Sequence, residues 1–472
     1  MKWELYSKNI IKPLLAARAP HLNARHYDAA ACVFPFRSNP YVINKLIDWS
    51  DVPNDPIFRL TFPSPSMLKP EQLASMLSAI ETTELAGKDI TERTKRNYIV
   101  DRAKLIREGL NPHPGGQKEE NVPKLDGGDV LGCQHKYRET VLFFPAEGQF
   151  CHAFCTYCFR WAQFTDVGSK QQFKGKVPQH LMEYIAQHPQ VRDVLFTGGD
   201  PMVMKTEMIR AYVNPLLNNP ATSHLDTIRI GTKSLAYWPH RFITDKEATS
   251  TLKYFEEIVK SKKHLSIQAH FTHPRELGTL DVQEAMRLIR MTGANIRTQS
   301  PLIRGINDSA EVWTEMWNKQ TNLGAFPYYM FVERDTGARD YFSVPLARAY
   351  EIFSDAQAAA AGLARTARGP SMSAGPGKIA IEGISEIPAE DGQGLQKVFN
   401  LKFLQARNPA WTKVPFYAKF DPEATWLSDL KPAFGGDKFF FEKEYEEHIK
   451  GDSSGSSGQM DFSKPPQLSG CA

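Results

Sequence analysis

Cys151-His-Ala-Phe-Cys155-Thr-Tyr-Cys158 places three cysteines in C-x3-C-x2-C order, a few residues beyond the apolar run Val141-Leu-Phe-Phe144. Three thiolates from one short loop can hold three irons of a [4Fe-4S] cubane, and the spacing supplies no fourth cysteine, so one iron stays open to an outside ligand. A structural zinc ion takes four ligands, usually from two separated Cys/His pairs. His152 sits beside Cys151, badly placed to close the same tetrahedron, and Cys32, Cys133 and Cys471 form no partner pair. Three unrelated buried thiols are the remaining reading. The spacing favours the cluster.

Working outward, the chain changes character at the first apolar run. From Thr140 onward short apolar stretches alternate with amphipathic ones. Val141–Phe144, Val191–Phe196, Thr227–Ile230, Leu265–His270, Ala294–Thr298 and Pro327–Val332 read as strands. Gln179–Gln187, Lys205–Leu217, Asp245–Lys260, Asp281–Met291, Ala310–Thr321 and Pro345–Ala360 read as helices. Six strand-then-helix units predict a parallel sheet with helices outside it, an α/β fold closed or partly closed as a barrel. Chemistry in such barrels sits in loops at the C-terminal strand ends, and the cysteine loop follows the first strand.

Residues 1–135 read as a helical accessory lobe, with amphipathic segments at Glu71–Glu84 and Thr91–Glu108. Residues 136–365 form the expected barrel, and 366–450 carry a Gly/Pro-rich loop, Gly369-Pro-Ser-Met-Ser-Ala-Gly-Pro-Gly-Lys378, followed by a small C-terminal extension. Residues 451–472, opening on Asp-Ser-Ser-Gly-Ser-Ser-Gly, read as a flexible tail.

Composition bounds the function. The 472 residues carry a net charge of +4 and 42% hydrophobic residues, a globular balance with no concentrated basic face for nucleic acid. No stretch is long and apolar enough to span a bilayer, and the N-terminus lacks the apolar run of a signal peptide. Six cysteines, three of them in one loop, do not form a disulfide framework, so a reducing cytoplasm is the expected compartment.

Two further stretches admit a plain and a functional reading. Phe196-Thr-Gly198-Gly199-Asp200-Pro201 ends the second unit and alone is only a turn, although its glycines allow close approach and its acid can accept from an ammonium group. Lys378 in its Gly/Pro-rich loop reads first as a solvated amine. Its alternative is a Schiff base with pyridoxal phosphate (PLP).

The cysteine spacing resembles that of the radical S-adenosylmethionine (SAM) enzymes, in which SAM chelates the open iron and is cleaved to a 5'-deoxyadenosyl radical. Tyr157 matches that family's ring against the adenine, and Gly198, Gly199 and Asp200 match its segment for the methionyl amino group. The order of motifs is similar to that of the lysine 2,3-aminomutase family, which is PLP-dependent. The matching landmarks are Cys151 to Cys158 with Arg160, Gln190 to Asp200, Arg229-Ile-Gly-Thr, His270-Phe-Thr-His-Pro274, Gln299 to Asp308, Pro327-Tyr-Tyr329 and Gly375-Pro-Gly-Lys378. The resemblance implies a partial (β/α)6 barrel. It makes Lys378 the PLP lysine, Lys136 and Tyr137 the upstream PLP contacts, and Arg160 the residue for the substrate carboxylate.

Departures bear on the substrate. The lysine enzymes hold the distant substrate ammonium with two aspartates, and by spacing those positions are Arg334 and Ser371 here. A guanidinium repels an ammonium, so an acidic or neutral polar amino acid is expected instead, with Arg334 clasping a side-chain carboxylate. Glu333 and Asp335 flank Arg334, and a shift of one residue would restore an acid. The family's Cys-rich zinc segment is missing, and Ser309 stands where its partner cysteine would be. The family reading implies a one-electron reductant such as flavodoxin or ferredoxin, and a homo-oligomer is compatible with it. Two other readings stand beside the aminomutase: SAM-radical chemistry without PLP on another small molecule or a peptide, and a non-catalytic iron-sulfur protein.

Overall fold

The computed structural model describes residues 2–87, 89–112, 120–165, 173–389, 393–434 and 436–453. Five helices open the chain: α1 (Ile11–Arg18), α2 (Ala24–Val33), α3 (Pro56–Thr61), α4 (Pro70–Leu85) and α5 (Glu92–Glu108). A small ribbon of β1 (Lys124–Leu125) and β2 (Gly128–Asp129) leads into β3 (Cys133–Tyr137), which turns back against β4 (Thr140–Phe143).

The strand and helix units then follow in the predicted order. They are α6 (Pro178–Gln187), β5 (Asp193–Phe196), α7 (Thr206–Asn218), β6 (Thr227–Thr232), the short α8 (Ser234–Tyr237), α9 (Ala248–Lys260), β7 (His264–His270), α10 (Leu280–Met291), β8 (Asn295–Leu302), α11 (Ala310–Asn322) and β9 (Ala325–Val332). After α12 (Arg339–Phe342) and α13 (Leu346–Ala359), the chain adds β10 (Arg368–Ser373), β11 (Gly377–Pro388), β12 (Leu395–Ala406), β13 (Pro415–Lys419) and α14 (Glu442–Ser453).

β3 to β13 form one sheet of 11 strands in strict chain order. β4 to β10 run parallel, and the two ends of the sheet are antiparallel. Sheet twist curls the array until β12 comes against β3, which leaves a partial barrel around a cavity. The six units of the partial (β/α)6 barrel are β4 to β9 with their helices. The structure adds the antiparallel strands beyond them.

The strand sequences show which face looks where. In β6 Ile228, Ile230 and Thr232 are buried while Thr227, Arg229 and Gly231 alternate with them; the apolar set meets the helices and Arg229 faces the barrel interior. β8 repeats this alternation, with Ile296, Thr298, Ser300 and Leu302 buried and Gln299 on the cavity side. Outside, α9 buries Tyr254, Phe255 and Ile258 at helical spacing. Helix starts are fixed by side-chain caps: Thr279 accepts from the Val282 N–H (3.2 Å) and Ser309 from the Val312 N–H (3.4 Å). Ser309, expected from the resemblance to stand where a cysteine would be, thus serves as the cap of α11.

Two boundaries differ from the sequence reading. The residues before 135 do not form a lobe with its own core, because Ile11, Phe34, Tyr41, Phe58 and Phe62 belong to the same apolar cluster as Val194, Ile228, Ile267 and Ile296 of the barrel. A separate cluster, including Met372, Ile379, Phe399, Phe403 and Trp411, supports the C-terminal strands. Helix α14 continues through Ser453, so the tail expected from 451 begins later; its remainder and Cys471 lie outside the described residues. Among the described residues no helix is long and apolar enough to cross a membrane.

Candidate active site

The cysteine loop leaves the C-terminal end of β4 and is held from behind by the N-terminal helices. Phe154 N–H donates to Arg37 O (2.9 Å), Thr156 N–H to Leu60 O (2.9 Å) and Thr156 Oγ1 to Arg59 O (2.7 Å). Asn39 Nδ2 donates to the carbonyls of both His152 (3.0 Å) and Tyr237 (3.1 Å), tying the loop to α8. The residues before 135 are therefore the rigid backing of the loop. That role carries no sequence signal, because it is exerted mainly through backbone groups.

Cys151, Cys155 and Cys158 are free and partly buried. Burial, first, and the neighbouring Cys155 thiol after it push Cys158 up to about 12. Cys151 is held well above its ordinary value by burial, Asp200 and the other two thiols, and Cys155 is raised mainly by burial. Three thiols that resist ionisation together become thiolates only against a cationic occupant. Among the described residues no three His, Cys, Asp or Glu side chains are gathered to ligate a single metal ion.

The Gly-Gly-Asp segment packs directly against this loop. A Cβ on Gly199 would stand 2.5 Å from the backbone N and O of Phe150, and one on Gly198 (φ +138°) 2.3 Å from Gln149 Nε2. Both glycines are thus needed for the fit of the chain to itself. Asp200, expected to accept from the SAM ammonium, has both oxygens engaged internally. Oδ1 accepts from Met202 N–H (2.9 Å) and Thr232 Oγ1 (2.7 Å), and Oδ2 from Lys233 N–H (2.9 Å) and Ser234 Oγ (3.0 Å). Four donors fill a carboxylate's acceptor sites. Ser234 Oγ also meets His152 Nδ1 (2.8 Å), so Asp200 orders the cysteine loop through its neighbours. Tyr157 is buried, with its hydroxyl 2.7 Å from His270 Nε2 and 3.0 Å from Thr272 Oγ1 at the end of β7.

Immediately beyond Cys158, Phe159 and Arg160 enter the barrel cavity, a space of about 240 Å³. Lys136, Tyr137, Arg160, Arg334 and Lys378 all line it, joined by Arg229, Gln299 and Tyr329. Ser371 does not: its side chain is fully buried, with Oγ 3.4 Å from Met330 O, and Ser373 two residues on reaches the cavity instead. Ser371 and Ser373 share one face of β10, with Met372 between them turned into the C-terminal apolar cluster, so the difference comes from position along the strand and not from the face.

Lys378 is the first lysine of strand β11, not a loop residue, and pairs in register with Gln405 and Ser373. Its Nζ donates to Gln405 Oε1 (3.2 Å) and sits 3.8 Å from the centre of the Tyr329 ring. Burial, then the fields of Arg229, Arg368 and Arg334, lowers it to about 7. Lys136 is lowered well below its ordinary value by burial and the nearby Arg407 and Arg334, and its Nζ donates to Ala374 O, bridging the two ends of the sheet. The amine of Lys378 therefore fits a carbonyl-bearing cofactor.

The two arginines are left open. Arg160 lies 4.2 Å over the Phe144 ring and 4.9 Å over Phe159, and Arg334 lies 4.8 Å over Phe159. Among the described residues neither has an acidic partner at ion-pair distance, whereas Arg229 is paired with Asp193 (2.5 Å) and Asp335 with Arg339 (3.0 Å). Burial and the field of Arg334 bring Arg160 down to about 9. Glu333 is buried and raised well above the usual carboxylate range, which weakens it as a counter-ion for Arg334. A buried guanidinium at Arg160 and a half-buried one at Arg334, without an acidic partner among the described residues, form a receptor for anions. Sequence reasoning did not single out Gln405, Tyr329 or Phe159 as site residues. Only the pairing of distant strands brings Gln405 and Tyr329 to Lys378.

No protein-family model matches the chain. An Aquifex aeolicus protein provisionally named L-lysine 2,3-aminomutase is 29% identical over 423 residues, 89% of this chain and 94% of its own. The L-lysine 2,3-aminomutase of Clostridium subterminale is 28% identical over 47% of this chain and 50% of its own. The glutamate 2,3-aminomutase of Clostridioides difficile is 27% identical over 45% of this chain and 47% of its own. The match thus spans about half the length of the last two relatives. A radical SAM methyltransferase from Sphaerobacter thermophilus overlays 50% of the chain and 68% of its own at 15% identity and a TM-score of 0.36, too loose to bear on the fold or the activity.

Proposed function

From its similarity to lysine 2,3-aminomutases, which reaches 89% of the chain, we propose that this protein moves an amino group from C2 to C3 of an amino acid with an acidic or neutral polar side chain. The reading assigns it a [4Fe-4S] cluster, SAM, PLP and a one-electron reductant such as flavodoxin or ferredoxin, in a reducing cytoplasm. When bound, these groups supply hydrogen abstraction from carbon and a π-system that delocalises the unpaired electron.

The chain's own residues do the rest. Cys151, Cys155 and Cys158 would hold three irons, with Asp200, Gly198 and Gly199 fixing the loop and Tyr157 anchoring it to β7. Lys378 would hold PLP through its amine, and Lys136 and Tyr137 would meet the phosphate. Arg160 would take the substrate's α-carboxylate. Arg334 would take a side-chain carboxylate or a neutral polar group, and the Phe159 ring lies 4.9 Å from the Arg160 guanidinium and 4.8 Å from that of Arg334. Tyr329, Phe331 and Phe159 wall the cavity and keep water from the reacting carbon.

The observation that carries this reading is the one cavity shared by Lys378 with Arg160 and Arg334, which have no acidic partner among the described residues, one step beyond the cysteine loop. The test is a panel of free amino acids offered to the anaerobically reconstituted protein, with β-amino isomers sought by mass-resolved chromatography. Glutamate or a neutral polar substrate is expected to turn over. Arg334→Ala should cost about 2–5 kcal/mol in kcat/KM for an acidic substrate, as loss of a buried charge contact does. Turnover of lysine alone would contradict the reading of Arg334.

A further inference from the structure

We infer that Tyr237 sets the reduction potential of the cysteine-bound cluster by donating its phenolic hydrogen to the sulfur of Cys155. The inference rests on the cluster assignment made above and adds to it a residue that ligates nothing.

Tyr237 closes the short helix α8, is 1% exposed, and stands with Oη 3.3 Å from Cys155 Sγ. Either atom can donate while the sulfur is a thiol. A thiolate bound to iron has no proton, so the hydroxyl must then be the donor. Cys155 Sγ is the one partner of that hydroxyl among the described residues.

The placement is built from several sides. The Tyr237 N–H donates to Lys233 O (2.9 Å), and the Tyr237 carbonyl takes the same Asn39 amide that holds the His152 carbonyl. The phenol therefore cannot drift from the loop without breaking a bond that fixes the loop itself. On the ring face, Lys233 Nζ lies 4.6 Å from the ring centre, held there by Glu276 (2.9 Å) and Thr272 Oγ1 (3.0 Å). A cation over the ring draws electron density from the phenol and makes its hydroxyl a better donor.

The consequence for the cluster has a definite sign. Reduction adds negative charge that is shared onto the ligating sulfurs. A hydrogen bond to one of them stabilises the reduced state more than the oxidised state and raises the potential. A buried, dry setting strengthens the effect, since no water competes for the sulfur. Sequence reading gave Tyr237 no part in the site, because it lies 79 residues beyond Cys158 in a helix of 4 residues.

The experiment is a redox titration of the anaerobically reconstituted holoprotein, followed by electron paramagnetic resonance of the reduced cluster. Tyr237→Phe removes only the hydroxyl and should shift the midpoint to a lower potential. Tyr254→Phe serves as control: its hydroxyl bonds Asn214 (2.8 Å) on the outer helices, and the midpoint should stay at the wild-type value. Replacing Tyr237 with 3-fluorotyrosine keeps the shape and strengthens the donor, so that the midpoint should move up, which preserves the test even if Tyr237→Phe fails to load iron. Midpoints of the 3-fluorotyrosine protein and any loaded Tyr237→Phe protein that equal the wild type's would overturn the role of Tyr237 and leave the cluster assignment standing. A wild-type protein with no cluster signal would overturn both.

Discussion

Cys155→Ala is expected to leave a folded protein that retains no [4Fe-4S] signal and cleaves SAM at least about a thousandfold more slowly, over about 4 kcal/mol of barrier. The reason is geometric. The loop from Cys151 to Cys158 offers three sulfurs and no reserve, since Cys133 is buried in β3 and Cys32 is held in α2, where it meets Lys8 (3.0 Å) and the Asp28 carbonyl (3.3 Å). The fold should survive because the loop is held mainly by backbone contacts to Arg37, Arg59, Leu60 and Asn39 that the thiol does not make. Cys133→Ala is the matched control: it removes a buried sulfur at a small cost in stability and should keep the iron content. Iron per chain and 5'-deoxyadenosine formation, measured on both variants, check the expectation. Equal iron in wild type and Cys155→Ala would remove the loop from the account.

Lys378→Ala is expected to abolish the absorbance of lysine-bound PLP and to reduce isomer formation by about a thousandfold, again about 4 kcal/mol. The same residue predicts a pH dependence in the wild type. Burial and three arginines disfavour the ammonium form, bringing Lys378 to about 7. The neutral, nucleophilic fraction of the amine therefore rises with pH, by about tenfold between roughly pH 6 and pH 8, and levels off above that. The initial rate at which the band grows after PLP is added should follow that rise. A solvated surface lysine, ionised throughout this range, would instead show a far lower rate still climbing tenfold per pH step beyond pH 8.

The barrel was legible because its signals are local. Each parallel strand carries an apolar alternation and each helix a periodicity that short windows detect, as β6 with Ile228 and Ile230, or α9 with Tyr254, Phe255 and Ile258, illustrate. The cysteine loop was legible because ligand spacing lies within eight consecutive residues. What escaped depends on contacts across the chain. The helices before residue 135 read as accessory, since nothing in their own pattern reports that Arg37, Asn39 and Leu60 would support the loop. Asp200 read as a ligand contact, because its four protein donors come partly from Thr232, Lys233 and Ser234, which only the neighbouring strand brings close. Ser371 read as a substrate contact because spacing alone does not tell how deeply a residue of β10 is buried.

The same distinction separates Arg334 from its acidic neighbours. In sequence, Glu333, Arg334 and Asp335 are interchangeable by a shift of one residue. In the fold, Arg334 and Asp335 both line the cavity, but Asp335 is paired with Arg339 and Glu333 is buried off it, so the open charge that remains is positive. The proposed acidic or neutral polar substrate rests on that electrostatic difference.

The account's central claim is that a radical made beside the cysteine loop reaches a substrate held at Lys378, Arg160 and Arg334. Its most direct measurement uses glutamate carrying deuterium at C3, incubated anaerobically with the reconstituted protein, SAM, PLP and reductant, followed by mass analysis of the 5'-deoxyadenosine. The account predicts deuterium in the 5'-deoxyadenosine and a β-amino isomer of glutamate. SAM cleavage that yields only unlabelled 5'-deoxyadenosine, with glutamate recovered unchanged, would contradict it.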